Sequence, residues 1–351
     1  YFNIGEPKKA LAMFEEVVRV SDKLGGRVQY RKEAIKDLVK AYSMWTDARE
    51  SKAKEYFRKF SKDEDELRGM LERLARLYGE SGEAEKSINL YNILIKDYSD
   101  RFDIVGYQIE IMLAVETENN AQKTAEEIIR AVQLFKHARD KKLTGYTDER
   151  DKEYYAMLEE HTRETAKWYH LTAQTTKNNL YYALAYEIYR VYIENFPEAQ
   201  DNYEMMYYYA ELLFWKSNYP EAAKRYDQVL DIKEDGPYTV GAAHGAVLAY
   251  SEMAKTPSAE CPAIPEPPPP KPGEEQSFPE FEIPECRTRM IKACERYARL
   301  VSDSENLVDI HYTAARIYYD YNQFAKAIPL FRDIALKHPE HKLGMVSANL
   351  M

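Results

Sequence analysis

Small and large apolar residues recur along this chain at spacings that place them on one face of a helix. Positions i, i+4 and i+7 share a helix face, and a small residue among them lets a neighbouring helix approach closely. One segment shows a full order of small, aromatic, small, aromatic, aliphatic and proline positions: Ala315, Tyr318, Ala327, Phe331, Ile334 and Pro339. This order predicts two consecutive helices that pack against each other.

Similar copies occur upstream, some complete and some partial. Good copies have small residues at their centres, namely Ala75, Ala185 and Ala222, and weaker copies centre on Ala53 and Ala125. Near the start, the pattern of a second helix without its first helix falls on Ala10, Phe14 and Val17. Because one helical hairpin is too small to bury its own apolar face, we expect neighbouring copies to stack on one another.

The order of these residues resembles the tetratricopeptide repeat (TPR), a helical hairpin that recurs about every 34 residues. The resemblance extends over most of the 351 residues. It implies an all-α fold, a TPR-type superhelical solenoid of antiparallel helix pairs, whose concave surface binds another protein. Because the chain begins in a loop before a half repeat and stops abruptly, we expect it to be a fragment of a longer protein.

The spacing between copies predicts five segments along the chain. They are an N-terminal TPR array (1–138), a charged connector (139–152), a central TPR array (153–255), a proline-rich insert (256–284) and C-terminal TPR units (285–351). The connector precedes an unusually long first helix, and two interpretations stay open for it. It is either a hinge between two arrays or the polar loop of an elongated repeat.

The insert interrupts a repeat between its two helices, and its prolines favour an extended polyproline II conformation. It is either a tolerated surface loop or a ligand, in which Pro267 to Pro272 dock into an aromatic groove of a partner. Cys261 and Cys286 flank it, and bonding them would close a loop of about 25 residues and contribute about 3 to 4 kcal/mol. A disulfide implies an oxidising compartment, whereas free thiols fit a cytosolic protein. We expect Cys294 to be a small buried apolar residue.

Motifs for chemistry are absent from the sequence. It contains no glycine-rich phosphate loop, nucleophile elbow, HExxH zinc motif or EF-hand loop, and His338 and His341 fit a helix cap better than a metal site. We therefore expect no enzyme activity, no cofactor and no metal. The net charge is -10 without a basic stripe, so we expect no nucleic-acid partner. No apolar stretch approaches the roughly 18 residues of a membrane span, so we expect no direct span.

The TPR resemblance also implies which residues line the inner groove and contact a protein or peptide partner. These are the positions of the first helices that face the groove in TPR proteins: Tyr42, Trp45, Lys167, His170, Gln174, Tyr207, Glu211, Phe214, Tyr312, Arg316 and Tyr319. Tyrosine, tryptophan and arginine dominate binding hot spots. For each residue, packing against an adjacent helix is the alternative interpretation.

The first 120 residues resemble long TPR proteins of deltaproteobacterial cell envelopes, including periplasmic components associated with gliding motility. The similarity is carried by three stretches, IGEPKKALAMFEEVVRVSDK, RKEAIKDLVKAYS and YGESGEAEKSINLYNILIKDYSD. It implies a periplasmic scaffold that contacts other subunits of an envelope complex. The alternative is a cytoplasmic regulatory TPR module that positions or represses an enzyme.

Overall fold

The computed structural model describes residues 6–23, 28–269, 275–301 and 304–351. In these ranges the chain forms sixteen helices and no strand beyond a single bridge between Arg101 and Thr144. The helices are α1 Pro7–Lys23, α2 Val28–Ser43, α3 Glu50–Phe57, α4 Glu64–Glu80, α5 Ala84–Asp97, α6 Asp103–Glu116, α7 Ala121–Lys141, α8 Asp148–Thr176, α9 Asn179–Asn195, α10 Asn202–Trp215, α11 Tyr219–Ile232, α12 Thr239–Lys255, α13 Glu285–Leu300, α14 Leu307–Asp320, α15 Phe324–Lys337 and α16 Lys342–Leu350.

Consecutive helices pack against each other as pairs. Contacts join α4 to α5, α6 to α7, α10 to α11, α12 to α13 and α14 to α15, and further contacts join one pair to the next. Most of the connecting turns are short, so the two helices of such a pair run antiparallel. This arrangement confirms the predicted all-α fold of antiparallel helix pairs of the TPR type.

The predicted small and aromatic positions form the contacts between helices. Ala315, Ala327 and Phe331 are fully buried and form one cluster with Ile334. At the turn between α4 and α5, Gly82 has a φ of +81°, a left-handed conformation that glycine adopts without strain.

The prediction for the first helix is wrong by one residue. Val17 is 42% exposed, whereas the adjacent Val18 is fully buried, together with Ala10 and Leu11. The packing face of α1 is set by its contact with α2, and that contact turns the helix so that Val17 faces solvent.

Contacts along the chain define two compact units, Tyr1–Val191 and Tyr192–Met351, so the boundary falls inside α9. The five predicted segments stay a prediction.

In the first unit, the residues between α7 and α8 are bound to the turn before α6. Thr144 N–H donates to Asp100 at 3.0 Å, and Phe102 N–H donates to Thr144 at 2.8 Å. Arg139 pairs with Asp151 at 2.6 Å across the same connection.

In the second unit, the proline-rich insert leaves α12 and returns to α13, and these two helices pack as one pair. Cys261 and Cys286 form a disulfide with their Cα atoms 5.5 Å apart. The returning part is bound to the α14–α15 turn, where Phe281 N–H donates to Tyr321 O at 3.0 Å and Asn322 Nδ2 donates to Pro279 O at 2.8 Å. Of the proposed ligand Pro267–Pro272, residues 270–272 lie outside the described part of the chain.

Two glycines in helix interiors test whether close helix approach stabilises the fold. A Cβ on Gly245 of α12 would lie 2.5 Å from the ring of buried Tyr226, whereas a Cβ on Gly69 of α4 would meet nothing within 4 Å. We expect Gly245→Ala to lower the free energy of unfolding by about 1 to 3 kcal/mol through overpacking. We expect Gly69→Ala to raise it by up to about 1 kcal/mol through helix propensity. Urea unfolding followed by circular dichroism measures both, and equal effects would contradict the packing argument.

Candidate partner-binding site

The predicted groove residues of α10 are half-buried and contact neighbouring helices. The Tyr207 ring stacks on Tyr238 with centroids 4.8 Å apart. Glu211 accepts a hydrogen bond from the Tyr226 hydroxyl. Phe214 meets Tyr219 edge-on at 5.3 Å. These side chains are therefore engaged in packing, and their role in partner binding stays a prediction.

The predicted residues of α14 lie on one helix face and contact α15. Tyr312 and Tyr319 lie 5.6 Å and 6.0 Å from the Phe331 ring. Arg316 is exposed and pairs with Asp320 of its own helix at 2.8 Å. The two tyrosines stabilise the packing of α14 against α15. Arg316 is the most accessible of the three residues.

Near the start of the chain, the structure corrects the prediction for Tyr42. Its side chain is only 2% exposed because it packs against Tyr56 and Phe57, at centroid distances of 4.9 Å and 5.0 Å. Trp45 is half-buried, with the Lys8 ammonium 5.4 Å from its ring. A cavity of about 310 Å³ lies beside these residues, and basic and acidic side chains both line it.

The predicted residues of α8 also include one that is buried. His170 is 7% exposed, its Nδ1 lies 3.4 Å from the Tyr189 hydroxyl, and burial lowers its pKa. It belongs to the packed contact between α8 and α9, so the prediction of direct partner contact is corrected here. Lys167 is half-buried and Gln174 is exposed, and their predicted role stays a prediction.

A larger cavity, of about 430 Å³, opens between α8, the α6–α7 turn and the start of α9. From α8 it is lined by residues spaced i, i+4 and i+7, which share one helix face: His161, Thr165 and Trp168. The other lining residues are Glu116, Asn119, Asn120, Ala121, Thr124, Glu164, Tyr169 and Tyr181. We refer to this cavity as the Trp168 pocket.

The length of α8 is what creates the pocket. With 29 residues it is the longest helix of the described chain. Its first half packs near Phe102 and Arg139, where Tyr154 lies 5.6 Å from the Phe102 ring and Asp151 pairs with Arg139. Its second half extends past the α6–α7 turn to meet α9, which leaves the space between them open.

Aromatic rings form one wall of the Trp168 pocket. Trp168 is 54% exposed, and Tyr181 meets it edge-on with centroids 5.7 Å apart. Behind it, Tyr169 is buried, and its hydroxyl donates to the carbonyl of Ala121 at 2.8 Å. Burial raises the pKa of Tyr169 to about 12, so this hydroxyl stays a hydrogen-bond donor at neutral pH. The hydrogen bond fixes α8 against the start of α7 and holds the exposed indole in position.

The remaining lining residues are mostly polar, and two of them are carboxylates. His161 Nδ1 lies 3.2 Å from Glu116 Oε1 and donates to it. Asn120 caps α7 by accepting a hydrogen bond from Lys123 N–H at 3.1 Å, and Asn119 has a left-handed φ of +53°. Together with Glu164, these residues give the lining two carboxylates and no lysine or arginine.

Sequence reasoning missed Trp168 and His161 because the TPR resemblance assigned the groove to the adjacent positions of α8. The signal that indicates them is the spacing of His161, Thr165 and Trp168 within a helix that is unusually long.

In the part of the chain that the structure describes, no three His, Cys, Asp or Glu side chains are grouped to hold a metal. Across the same ranges, none of the helices combines the length and the apolar content that crossing a bilayer requires.

No protein-family model and no curated protein matches this chain. Solved structures similar to it include the TPR2AB domain of yeast Sti1 in a complex with pHSP90, which is 13% identical over 97% of this chain and 96% of its own, with a TM-score of 0.31. The C-terminal part of a TPR protein from Cytophaga hutchinsonii is 12% identical over 90% and 98%, with a TM-score of 0.32. A TPR protein from Parabacteroides merdae is 11% identical over 96% of each chain, with a TM-score of 0.27. At values this low, the fold assignment rests on the helix pairs and buried anchors of the chain itself.

The contact between His161 and Glu116 predicts a pH-dependent contribution to stability. The hydrogen bond to Glu116 raises the pKa of His161 above its ordinary value of 6.5. The contribution is therefore complete below pH 6.5 and is lost as the pH rises through the higher folded-state pKa. We expect His161→Gln to reduce the free energy of unfolding most at low pH, measured by urea unfolding over a pH series. In a Glu116→Gln background this pH dependence should fall to the smaller contribution of Glu160, and an undiminished dependence there would contradict the assignment.

Proposed function

We propose that this chain is a non-catalytic scaffold for protein–protein interaction, and that the Trp168 pocket binds an extended peptide or a helix of its partner. The observation that carries the proposal is an exposed tryptophan held at the edge of an open cavity. Trp168 is 54% exposed, although its neighbours Tyr169 and Tyr181 hold it in a packed aromatic group. A rigid aromatic side chain beside a cavity is the arrangement of a binding hot spot.

The surroundings of the pocket support a binding role. Its volume of about 430 Å³ is large enough to hold side chains of a partner. Leu171 and Leu180 are also exposed, and they extend the apolar surface beyond Trp168 along α8 and α9. Exposed apolar surface with a polar rim is typical of protein interaction sites.

The titratable groups of the pocket favour binding over catalysis. His161 and Glu116 form the one acid–base pair in the lining, and among the described residues His161 has no hydrogen-bonded nucleophile at its second ring nitrogen. A histidine that activates a nucleophile needs that group within hydrogen-bond reach. We therefore propose no reaction at this site.

We further propose that the partner is a subunit of a cell-envelope complex in the periplasm, with gliding-motility machinery among the candidates. The disulfide between Cys261 and Cys286 supports an oxidising compartment. The resemblance of the first 120 residues to deltaproteobacterial envelope proteins supports the same setting. A cytoplasmic regulatory module that positions or represses an enzyme is the competing proposal, and the state of the cysteines separates the two.

Photo-crosslinking tests the proposed interaction site. A photoreactive amino acid at Leu171, which is exposed one helical turn after Trp168, should give an adduct with one defined partner, whereas the same residue at Trp215, which is 51% exposed in the second unit, should not. Excess wild-type protein should compete for the adduct, and excess Trp168→Ala protein should not. Adducts of equal yield from both positions, or only from position 215, would show that the Trp168 pocket is not the interaction site.

Counting thiols tests the proposed compartment. Protein purified without reductant and then unfolded should expose one reactive thiol, that of Cys294, because Cys261 and Cys286 are bonded. The Cys294→Ala variant should expose none, and Cys261→Ser should expose two because Cys286 then lacks its partner. Three reactive thiols in the wild-type protein would favour the cytoplasmic alternative.

A further inference from the structure

The charges around the Trp168 pocket identify the kind of side chain that it accepts. Glu116 and Glu164 line it, and no lysine or arginine is among the lining residues. The Glu116 carboxylate has one hydrogen-bond partner among the described residues, the His161 ring at 3.2 Å, so it retains capacity to accept further hydrogen bonds. An anionic side chain of a partner would be repelled here, and a cationic one would be attracted.

Lys123 and Arg163, each adjacent in sequence to a lining residue, already pair with carboxylates of this chain. Lys123 pairs with Glu118 at 3.1 Å. Arg163 contacts Glu159 at 3.1 Å as well as the adjacent Glu164, whose side chain is 61% exposed. Glu164 is therefore partly neutralised, and Glu116 is the main acceptor. Among the described residues the lining holds no lysine or arginine, and its one basic group is the His161 ring that contacts Glu116.

The aromatic wall favours the same type of occupant. An ammonium or guanidinium group is attracted to the face of a tryptophan or tyrosine ring, and the methylene stem of lysine or arginine packs on apolar surface. Trp168 and Tyr181 supply that surface in the same cavity as Glu116. The cavity beside Trp45 differs because Arg49, Lys52 and Lys59 line it. Of these two cavities, only the Trp168 pocket combines aromatic rings with a lining that has two carboxylates and no lysine or arginine.

We propose that the Trp168 pocket binds a lysine or arginine side chain of the partner. The methylene stem lies against Trp168 and Tyr181, and the cationic group meets Glu116, with Glu164 adding to the negative field. This inference rests on the proposed function, since it names the side chain through which a partner peptide is anchored.

Small probes test the inference without knowledge of the partner. Protein labelled with fluorotryptophan gives one fluorine resonance for each of the three tryptophans, and Trp168→Phe assigns the resonance of Trp168. We expect the amides of N-acetyl-arginine and N-acetyl-lysine to shift this resonance in a saturable way, and to shift those of Trp45 and Trp215 much less. The neutral amide of N-acetyl-norleucine, which has a similar stem, should bind at least about tenfold more weakly because it lacks the charge-assisted contact.

Charge-removing variants and added salt measure how much the Glu116 carboxylate contributes to binding. Glu116→Gln should weaken binding of the arginine amide about tenfold, whereas Glu126→Gln, an equal loss of charge on exposed α7 surface, should leave it unchanged. Added salt should weaken binding in the wild type. Comparison of the two cationic amides shows whether ammonium or guanidinium is preferred.

Two results would overturn the inference. If the norleucine amide binds as well as the arginine amide, the pocket accepts an apolar side chain, and the proposed interaction site survives without its cationic anchor. If no probe shifts the Trp168 resonance at the highest soluble concentration, a cationic side chain is not the anchor. Failure of the proposed function is recognised separately, because in that case no partner crosslinks from the photoreactive residue at Leu171.

Discussion

The close approach of neighbouring helices at small residues is the contact on which the rest of the structure depends. Ala315 and Ala327 let Phe331 fill the space between α14 and α15, and Gly245 lets the Tyr226 ring lie directly against α12. Each helix pair is too small to have a core of its own, so its apolar face is buried by the next pair. The stability of each helix pair therefore depends on the adjacent pairs. A change of one methyl group at such a contact affects the packing of more than one pair.

This dependence on neighbours explains why the proposed binding site lies at α8. The helix serves two contacts in succession, first with the end of α7 through Asp151 and then with α9 through His170. Because the second contact begins beyond the α6–α7 turn, a space remains that no side chain of a regular pair fills. Tyr169 holds the two sides of that space together through Ala121, 48 residues earlier in the chain. The cavity is thus a consequence of helix length within an otherwise regular arrangement.

The helix pairs and most buried anchors could be predicted from the sequence because local spacing decides which residues share a helix face. Two kinds of feature could not be predicted from the sequence. The orientation of α1 differs by one residue, at Val17, because it is set by contact with α2 rather than by α1 itself. The exposure of Trp168 depends on where the α6–α7 turn ends, at Asn120, relative to α8, which begins only at Asp148. Such distances between elements are not encoded in any local pattern, whereas the burial of Tyr42 follows from the packing alternative that the sequence left open.

The energetics of the tyrosine contacts explain why a partner would bind at Trp168 rather than at the regular groove positions. At α10, a partner that displaced Tyr226 from Glu211 would leave a buried polar group without a hydrogen bond, at a cost of about 1 to 3 kcal/mol. Trp168 has no such contact to lose on its exposed side, and covering apolar surface there contributes about 25 cal/mol for each Å² removed from water. The net gain from binding is therefore largest where an aromatic side chain is fixed by its neighbours but left uncovered. Trp168 meets both conditions more fully than Tyr42 and Trp45 of the second cavity, because Tyr42 is buried and Trp45 is half-buried beside Lys8.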